Sequence, residues 1–167
     1  MISRLLASLW GLSMFGFAFG CPSAGAAVSC SELAKAKLDN VDFLSSTEVA
    51  ADSGLPAYCR VLGFVRPAIN FDIRLPADGW NGKFYEVGCG GYCGTVDSDL
   101  KGFANAPNYA LRRSYAVAST DAGHWGNSSW DGRWAFGNLV AKDDWAWRAE
   151  HEVNAPRARN ARDRARL

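Results

Sequence analysis

The sequence predicts an α/β fold in which an antiparallel hairpin leads into parallel strands. Three observations carry that expectation. Ile69, Phe71, Ile73 and Leu75 alternate with Asn70, Asp72 and Arg74, the period of two of a half-buried strand, and the apolar run Tyr58 to Val65 precedes them across the short turn Arg66-Pro67-Ala68. Further on, a strand signal at 83–87, a glycine-rich loop, a helix signal at 104–113 and a strand signal at 115–119 follow in the order of a βαβ unit. The last of these, Tyr115-Ala116-Val117-Ala118-Ser119, is short and continuous rather than alternating, as strands covered on both faces are.

Taken in order, the chain opens with a targeting segment over 1–27. Arg4 supplies a positive start, and Ala24, Ala26 and Ala27 offer small residues for cleavage. Between them, Leu5 to Gly20 is an apolar run of roughly 16 residues, against the ~20 that a membrane-spanning helix needs. A retained anchor is the alternative; length and flanks favour a signal peptide and a secreted or periplasmic product, with no membrane partner after cleavage. About 140 residues then remain, enough for one domain with its own core, assigned to 28–152. A formal net charge of +1 gives no case for nucleic acid as a partner.

Cys21 leaves with the signal, and Cys30, Cys59, Cys89 and Cys93 remain. An oxidising compartment favours disulfides, and four cysteines allow three pairings. Cys89 and Cys93 are near enough for a small ring, which leaves Cys30 with Cys59; free thiols or two zinc half-sites are the alternatives. A zinc site wants His or more Cys close by, and His124 is far along the sequence, so no metal site is expected.

Cys30 to Leu38 suits a short helix with Ser31 as its cap. Val41 to Gly54 is polar and rich in turn formers and reads as loop. The hairpin follows, and then Pro76 to Gly82 (PADGWNG) is turn chemistry. Lys83 to Val87 reads as a short buried strand. Ala104 to Arg113 suits a helix, with Pro107 near its start. The next strand ends at Thr120-Asp121-Ala122-Gly123-His124. Asp143 to His151 reads as a helix with acidic residues in its first turn, favourable to the helix dipole. Val153 to Leu167 crowds Arg157, Arg159, Arg162, Arg164 and Arg166 and has no apolar stripe; it is expected to be a disordered or frameshifted basic tail that buries nothing.

Two segments fall at the C-terminal ends of parallel strands, where ligands bind in such sheets: Gly88 to Gly94 and Thr120 to His124. Glycine lets backbone N–H groups approach a ligand closely, as an oxyanion hole requires, although a tight disulfide-closed turn has the same composition. Asp121 and His124 have the residue types of an orienter and a base, or of side chains that tie the loop down. His151 is placed near the last helix carbonyls. Trp125, Trp130, Trp134, Trp145 and Trp147 suit either a platform for aromatic or sugar rings or the packing of a lid or helix. Trp145 and Trp147, two apart, cannot share one helix face. No G-x-S-x-G nucleophile motif occurs in the sequence.

Six segments occur here in a familiar order: Leu55 to Val61; Ile73-Arg74-Leu75-Pro76 with Trp80-Asn81-Gly82-Lys83-Phe84; Gly88-Cys89-Gly90-Gly91-Tyr92-Cys93-Gly94; Ser114 to His124; Asp131 to Phe136; and Trp145 to His151. Together they resemble the tannase and feruloyl esterase family of secreted α/β-hydrolases, from about Cys30 to His151. The resemblance implies the N-terminal part of an α/β-hydrolase sheet, truncated, from a Ser-Asp-His esterase acting on small phenolic or aromatic esters. In that family the nucleophile sits in a Gly-Cys-Ser-x-Gly-Gly turn, the acid and base come much later, and an inserted lid often binds calcium. None of those segments is present, so no catalytic triad residue, no cofactor and no activity is expected in this chain. Gly88 and Cys89 match the family's oxyanion arm. His124 matches a family histidine that is not the triad base, and a Cys30–Cys59 bridge resembles the family's N-terminal disulfide. The alternative function is a small secreted module binding aromatic or carbohydrate rings through the tryptophans.

Overall fold

The computed structural model describes residues 28–88, 90–92, 94–96, 106–126 and 128–154. The expected signal peptide, Cys89, Cys93, and nearly all of the arginine-rich tail lie outside the described residues. Five strands form one mixed sheet: β1 (Val41–Val49), β2 (Tyr58–Val65), β3 (Ile69–Pro76), β4 (Phe84–Val87) and β5 (Ala116–Thr120), in the spatial order β1-β2-β3-β5-β4. β1, β2 and β3 are antiparallel neighbours, β5 runs antiparallel to β3, and β4 pairs with β5 in parallel. The expected hairpin is present, with Tyr58 opposite Pro76 and Val65 opposite Ile69. The expected βαβ unit is present as well, its crossover containing helix α2 (Ala106–Leu111).

Three expectations are corrected. Residues 41–49 are not loop but the longest strand of the sheet. Among the described strands β1 pairs only with β2, and Val41 alone of its nine residues is fully buried, so a polar composition is compatible with pairing there. The helix foreseen over 30–38 is the single turn α1 (Cys30–Leu33), preceded by Ser29 with no side-chain cap. β4 is an edge strand with Tyr85 exposed, rather than a buried one.

Both faces of the sheet are covered. On one, Val41, Val65, Ile69, Phe71 and Ala118 pack with Ala149 and Val153 of a C-terminal helix spanning 149–154. On the other, Tyr58 and Val117 pack with Leu111 of α2. Val153 is therefore core, not tail: the helix runs two residues past the boundary expected at 152, because Val153 falls one turn after Ala149 on the face that meets the sheet.

The second covered face changes the reading of β3. Its polar alternates, Asp72 and Arg74, are each only 1% exposed. They are held by each other and by neighbours. Asp72 Oδ2 accepts from Arg74 Nη2 (3.0 Å), Arg60 Nη2 (2.8 Å) and Arg60 Nε (3.1 Å), and Arg74 Nη1 donates to Asn108 Oδ1 on α2 (2.8 Å). The Arg74 guanidinium also lies over the Tyr58 ring. A half-buried alternation signal thus conceals a strand that is buried on both sides, because its polar face neutralises itself beneath a helix.

The Cys30–Cys59 disulfide is formed, joining α1 to β2 with a separation of 29 residues. Replacing both cysteines by serine is expected to lower stability by about 2–4 kcal/mol through the loop released in the unfolded chain. Urea unfolding of the oxidised chain and the double variant measures it.

Candidate active site

The strand ends of β4 and β5 come together at one end of the sheet, as their parallel pairing requires. What fixes β4 there is the Trp80-Asn81-Gly82-Lys83 turn. Asn81 Nδ2 donates to the Arg113 carbonyl (2.6 Å), Asn81 N to the Ser114 carbonyl (3.0 Å), and Asn81 Oδ1 accepts from Lys83 N (2.9 Å). Trp80 Nε1 closes the turn on the Lys83 carbonyl (2.8 Å). The entry to β4 is thereby sewn to the entry to β5.

At the exit from β5, Asp121 is buried and works as a backbone cap. Its Oδ1 accepts from Asn70 N and Gly123 N, both at 2.9 Å, and its Oδ2 from Asn70 Nδ2 at 2.6 Å. Burial pushes its carboxyl above the ordinary range, against the pull of those hydrogen bonds and of His124. Gly123 must be glycine on two grounds: its φ is +76°, and a Cβ there would lie 2.4 Å from Asp144 Cβ.

His124 binds the glycine loop instead of a nucleophile. Its Nε2 is 2.9 Å from the Tyr92 carbonyl and its Nδ1 is 3.5 Å from the Ala122 carbonyl. A carbonyl oxygen only accepts, so the hydrogen sits on Nε2 and points into the protein. The ring is stacked on Trp134, centroids 3.8 Å apart. The loop is also bridged by paired hydrogen bonds between Gly94 and Gly126, and a Cβ at Gly94 would meet the His124 carbonyl oxygen at 2.1 Å. Asp121 and His124 therefore form no base–orienter pair; both hold the strand-end loops in place.

The tryptophans divide. Trp134 and Trp145 pack with Tyr92, and Trp145 Nε1 donates to the Gly91 carbonyl (3.1 Å). Trp147 faces elsewhere, against His151, as the spacing of two requires. His151 packs on a ring one turn back, within the last turn of the helix described. The helix expected over 143–151 starts earlier, at α3 (Leu139–Asp143) capped by Asn138, and passes through a wider π-helical turn at Asp144–Arg148. Asp144 is not a free first-turn acid; it is buried and paired with Arg148, whose other amino group reaches the Arg66 carbonyl.

An open depression of about 350 Å³ lies between Trp125 and Trp134, lined also by Gly126, Ser128, Asp131 and Arg133. Arg133 is committed to Asp131 by hydrogen bonds of 2.5 to 3.0 Å, which hold the Asp131 carboxyl down to about 2. Trp125, Trp130 and Phe136 are 83%, 92% and 94% exposed. With Trp134 and Trp145 engaged in packing, the tryptophans do not form a common ring-binding platform, and that alternative is not favoured.

The candidate oxyanion residue Gly88 stands at the C-terminal end of β4, exposed, with Gly90 and Gly91 at φ +84° and +59° just beyond it. Cys89 and the expected Cys89–Cys93 ring lie outside the described residues. Among the described residues no group of three or more His, Cys, Asp or Glu is placed to hold a metal ion, and no helix is long and apolar enough to cross a membrane.

A mixed sheet covered on both faces, with a glycine loop at the end of one parallel strand and a capped loop at the end of its neighbour, defines the start of an α/β-hydrolase-type domain. The family model for tannase and feruloyl esterase matches residues 55–158, and the chain belongs to that family. It is 34% identical over 141 residues to an uncharacterized esterase of Xanthomonas campestris pv. campestris, covering 76% of this chain and 23% of that one. A second uncharacterized esterase, from Agrobacterium fabrum, is 30% identical over 99 residues, 53% of this chain and 17% of the other. Among solved structures it is similar to feruloyl esterase B from Aspergillus oryzae, with a TM-score of 0.59 and 27% identity over 74% of this chain and 26% of that one. An Aspergillus oryzae esterase structure shares the fold with a TM-score of 0.60 at 21% identity. The chain spans about a quarter of the length of the first-named esterase and feruloyl esterase.

Proposed function

We propose that this chain is the oxyanion-bearing portion of an exported carboxylic ester hydrolase that acts on phenolic or aromatic esters. Gly88 and Cys89 offer backbone N–H groups to the tetrahedral oxygen. The nucleophile, acid and base come from polypeptide outside these residues. The observation that supports this most is the position of the glycine loop at the end of β4. β4 has one hydrogen-bonded neighbour, β5, among the described strands. A further parallel strand on its open side brings its own C-terminal end beside Gly88, and that end is where a nucleophile turn sits in such sheets. Trp125, Trp130 and Phe136 are left largely exposed and so are available to pack against further polypeptide. The reading assigns no cofactor to this chain. Residues 1–27 serve as its export signal, and the Cys30–Cys59 bridge suits an oxidising compartment.

On its own the chain is expected not to turn over an aryl ester such as methyl ferulate. An oxyanion arm without a nucleophile has no acyl-enzyme route. Product release by the purified chain, measured against a Gly88→Pro control, tests this; turnover clearly above the control refutes the assignment of the nucleophile to other polypeptide.

A further inference from the structure

Consecutive side chains of the π-helical turn Asp144–Arg148 reach the two strand-end loops. Asp144 packs against Gly123, in the loop after β5, and Trp145 Nε1 donates to the Gly91 carbonyl, in the loop after β4, at 3.1 Å. A turn closed from residue i to i+5 holds more residues than an α-helical one, so neighbouring side chains diverge by less than roughly 100° and both can face the same end of the sheet. The loop after β4 has little conformational preference of its own. Gly90 and Gly91 have φ of +84° and +59°, and glycine leaves the backbone free to take other paths. One peptide unit of that loop is held from both sides. The Gly91 carbonyl accepts from Trp145, and the Tyr92 N–H joined to it donates to the Ser129 carbonyl at 3.0 Å. The unit is planar, so a rotation that releases the carbonyl from the indole also carries the N–H away from Ser129. Ser129 lies so close that a Cβ on Gly91 would be 2.6 Å from its carbonyl oxygen.

We propose that Trp145 is a positioning residue for the glycine loop. Its indole N–H selects the orientation of the Gly91–Tyr92 peptide and so fixes the far end of the short segment that begins at Gly88. The rings around it support the bond. Trp145 packs on Tyr92 and Trp134, with centroids 5.4 and 6.1 Å away, and His124 takes the next carbonyl, that of Tyr92. Trp147 provides the contrast, since it stands on the same turn but packs on His151. What the pin does for catalysis rests on the reading of Gly88 as an oxyanion donor; the pin itself does not.

Trp145→Phe keeps a ring and removes the donor, and Trp147→Phe removes the other indole of the same turn. Residue-resolved NMR of the full chain reads both. In Trp145→Phe, amide-exchange protection at Tyr92 is expected to fall on the order of threefold to tenfold, the worth of one hydrogen bond, and the Gly91 carbonyl carbon to shift. In Trp147→Phe both are expected to match the wild type, and in both variants protection in β2 and β3 stays constant. Unchanged protection at Tyr92 in Trp145→Phe, or an equal fall in Trp147→Phe, overturns the pin. If Trp145→Phe does not fold, the wild-type chain carries the test. The two indoles are comparably exposed, at 41% and 57%, so the hydrogen bond decides the difference between them. Trp145 Nε1–H is expected to exchange on the order of threefold to tenfold more slowly than that of Trp147, and equal rates overturn the pin too. None of these readouts depends on esterase activity, so the pin and the proposed function fail separately.

Discussion

Replacing Asp72 by alanine is expected to cost about 3–5 kcal/mol, the largest stability loss foreseen for a single side chain in this domain. Asp72 Oδ2 is the common acceptor for Arg60 and Arg74. Arg74 is buried between α2 and the sheet, so on removal of Asp72 its charge loses this carboxylate and gains no water in exchange. Removing one partner of a buried pair leaves the other charge inside a low-dielectric layer, which costs far more than the pair is worth. Asp72→Asn retains an acceptor oxygen and is expected to lose less. The exposed pair Arg66–Asp42, at 2.7 Å, is the internal contrast. Arg66→Ala is expected to leave stability nearly unchanged, because solvent screens that pair. Urea denaturation of the variants side by side measures the ranking. Equal losses for Asp72→Ala and Arg66→Ala contradict the account of β3.

A hybrid in which residues 28–154 replace the matching quarter of feruloyl esterase B is expected to hydrolyse methyl ferulate, whereas neither part does so alone. The match covers 74% of this chain and 26% of the esterase, with a TM-score of 0.59. β4 presents an open side, its loop is fixed by His124, Trp145 and the Gly94–Gly126 bridge, and these ties lie within the chain. A loop held by its own domain keeps its shape when the neighbouring strand comes from another chain. Steady-state hydrolysis by the purified hybrid checks it, with circular dichroism to show that the hybrid is folded. A folded hybrid without activity counts against the loop as a working oxyanion arm.

The parts of the fold legible in the sequence are those with a clean period. Tyr58 to Val65 and Ile69 to Leu75 alternate or run apolar, and they pair in the expected hairpin. Tyr115 to Ser119 reads as a fully covered strand, and every residue of β5 is buried. The illegible parts have a physical reason in each case. β1 has Ser45, Ser46, Thr47 and Glu48 in succession, since an edge strand needs no apolar face on its solvent side. Asp72 and Arg74 look like the wet side of a strand because charge pairing under a helix leaves no trace in hydropathy. Val153 packs on strand residues far back in the sequence, with only Ala149 close by, so little in the local sequence marks it as core. At the site, the loops that converge were legible from the βαβ order and the glycines. The part played by His124 was not: whether a histidine meets a hydroxyl or a carbonyl depends on the path of residues 91–94, which local sequence does not specify.

In the proposed function the end of β4 supplies oxyanion donors. Proline at position 88 removes one backbone N–H and nothing else from the donor set, which makes kcat of the Gly88→Pro hybrid the most direct test. A fall of about 10²–10³-fold in kcat with KM little changed is expected, the size seen when a single oxyanion donor is lost. A folded Gly88→Pro hybrid with unchanged kcat contradicts it.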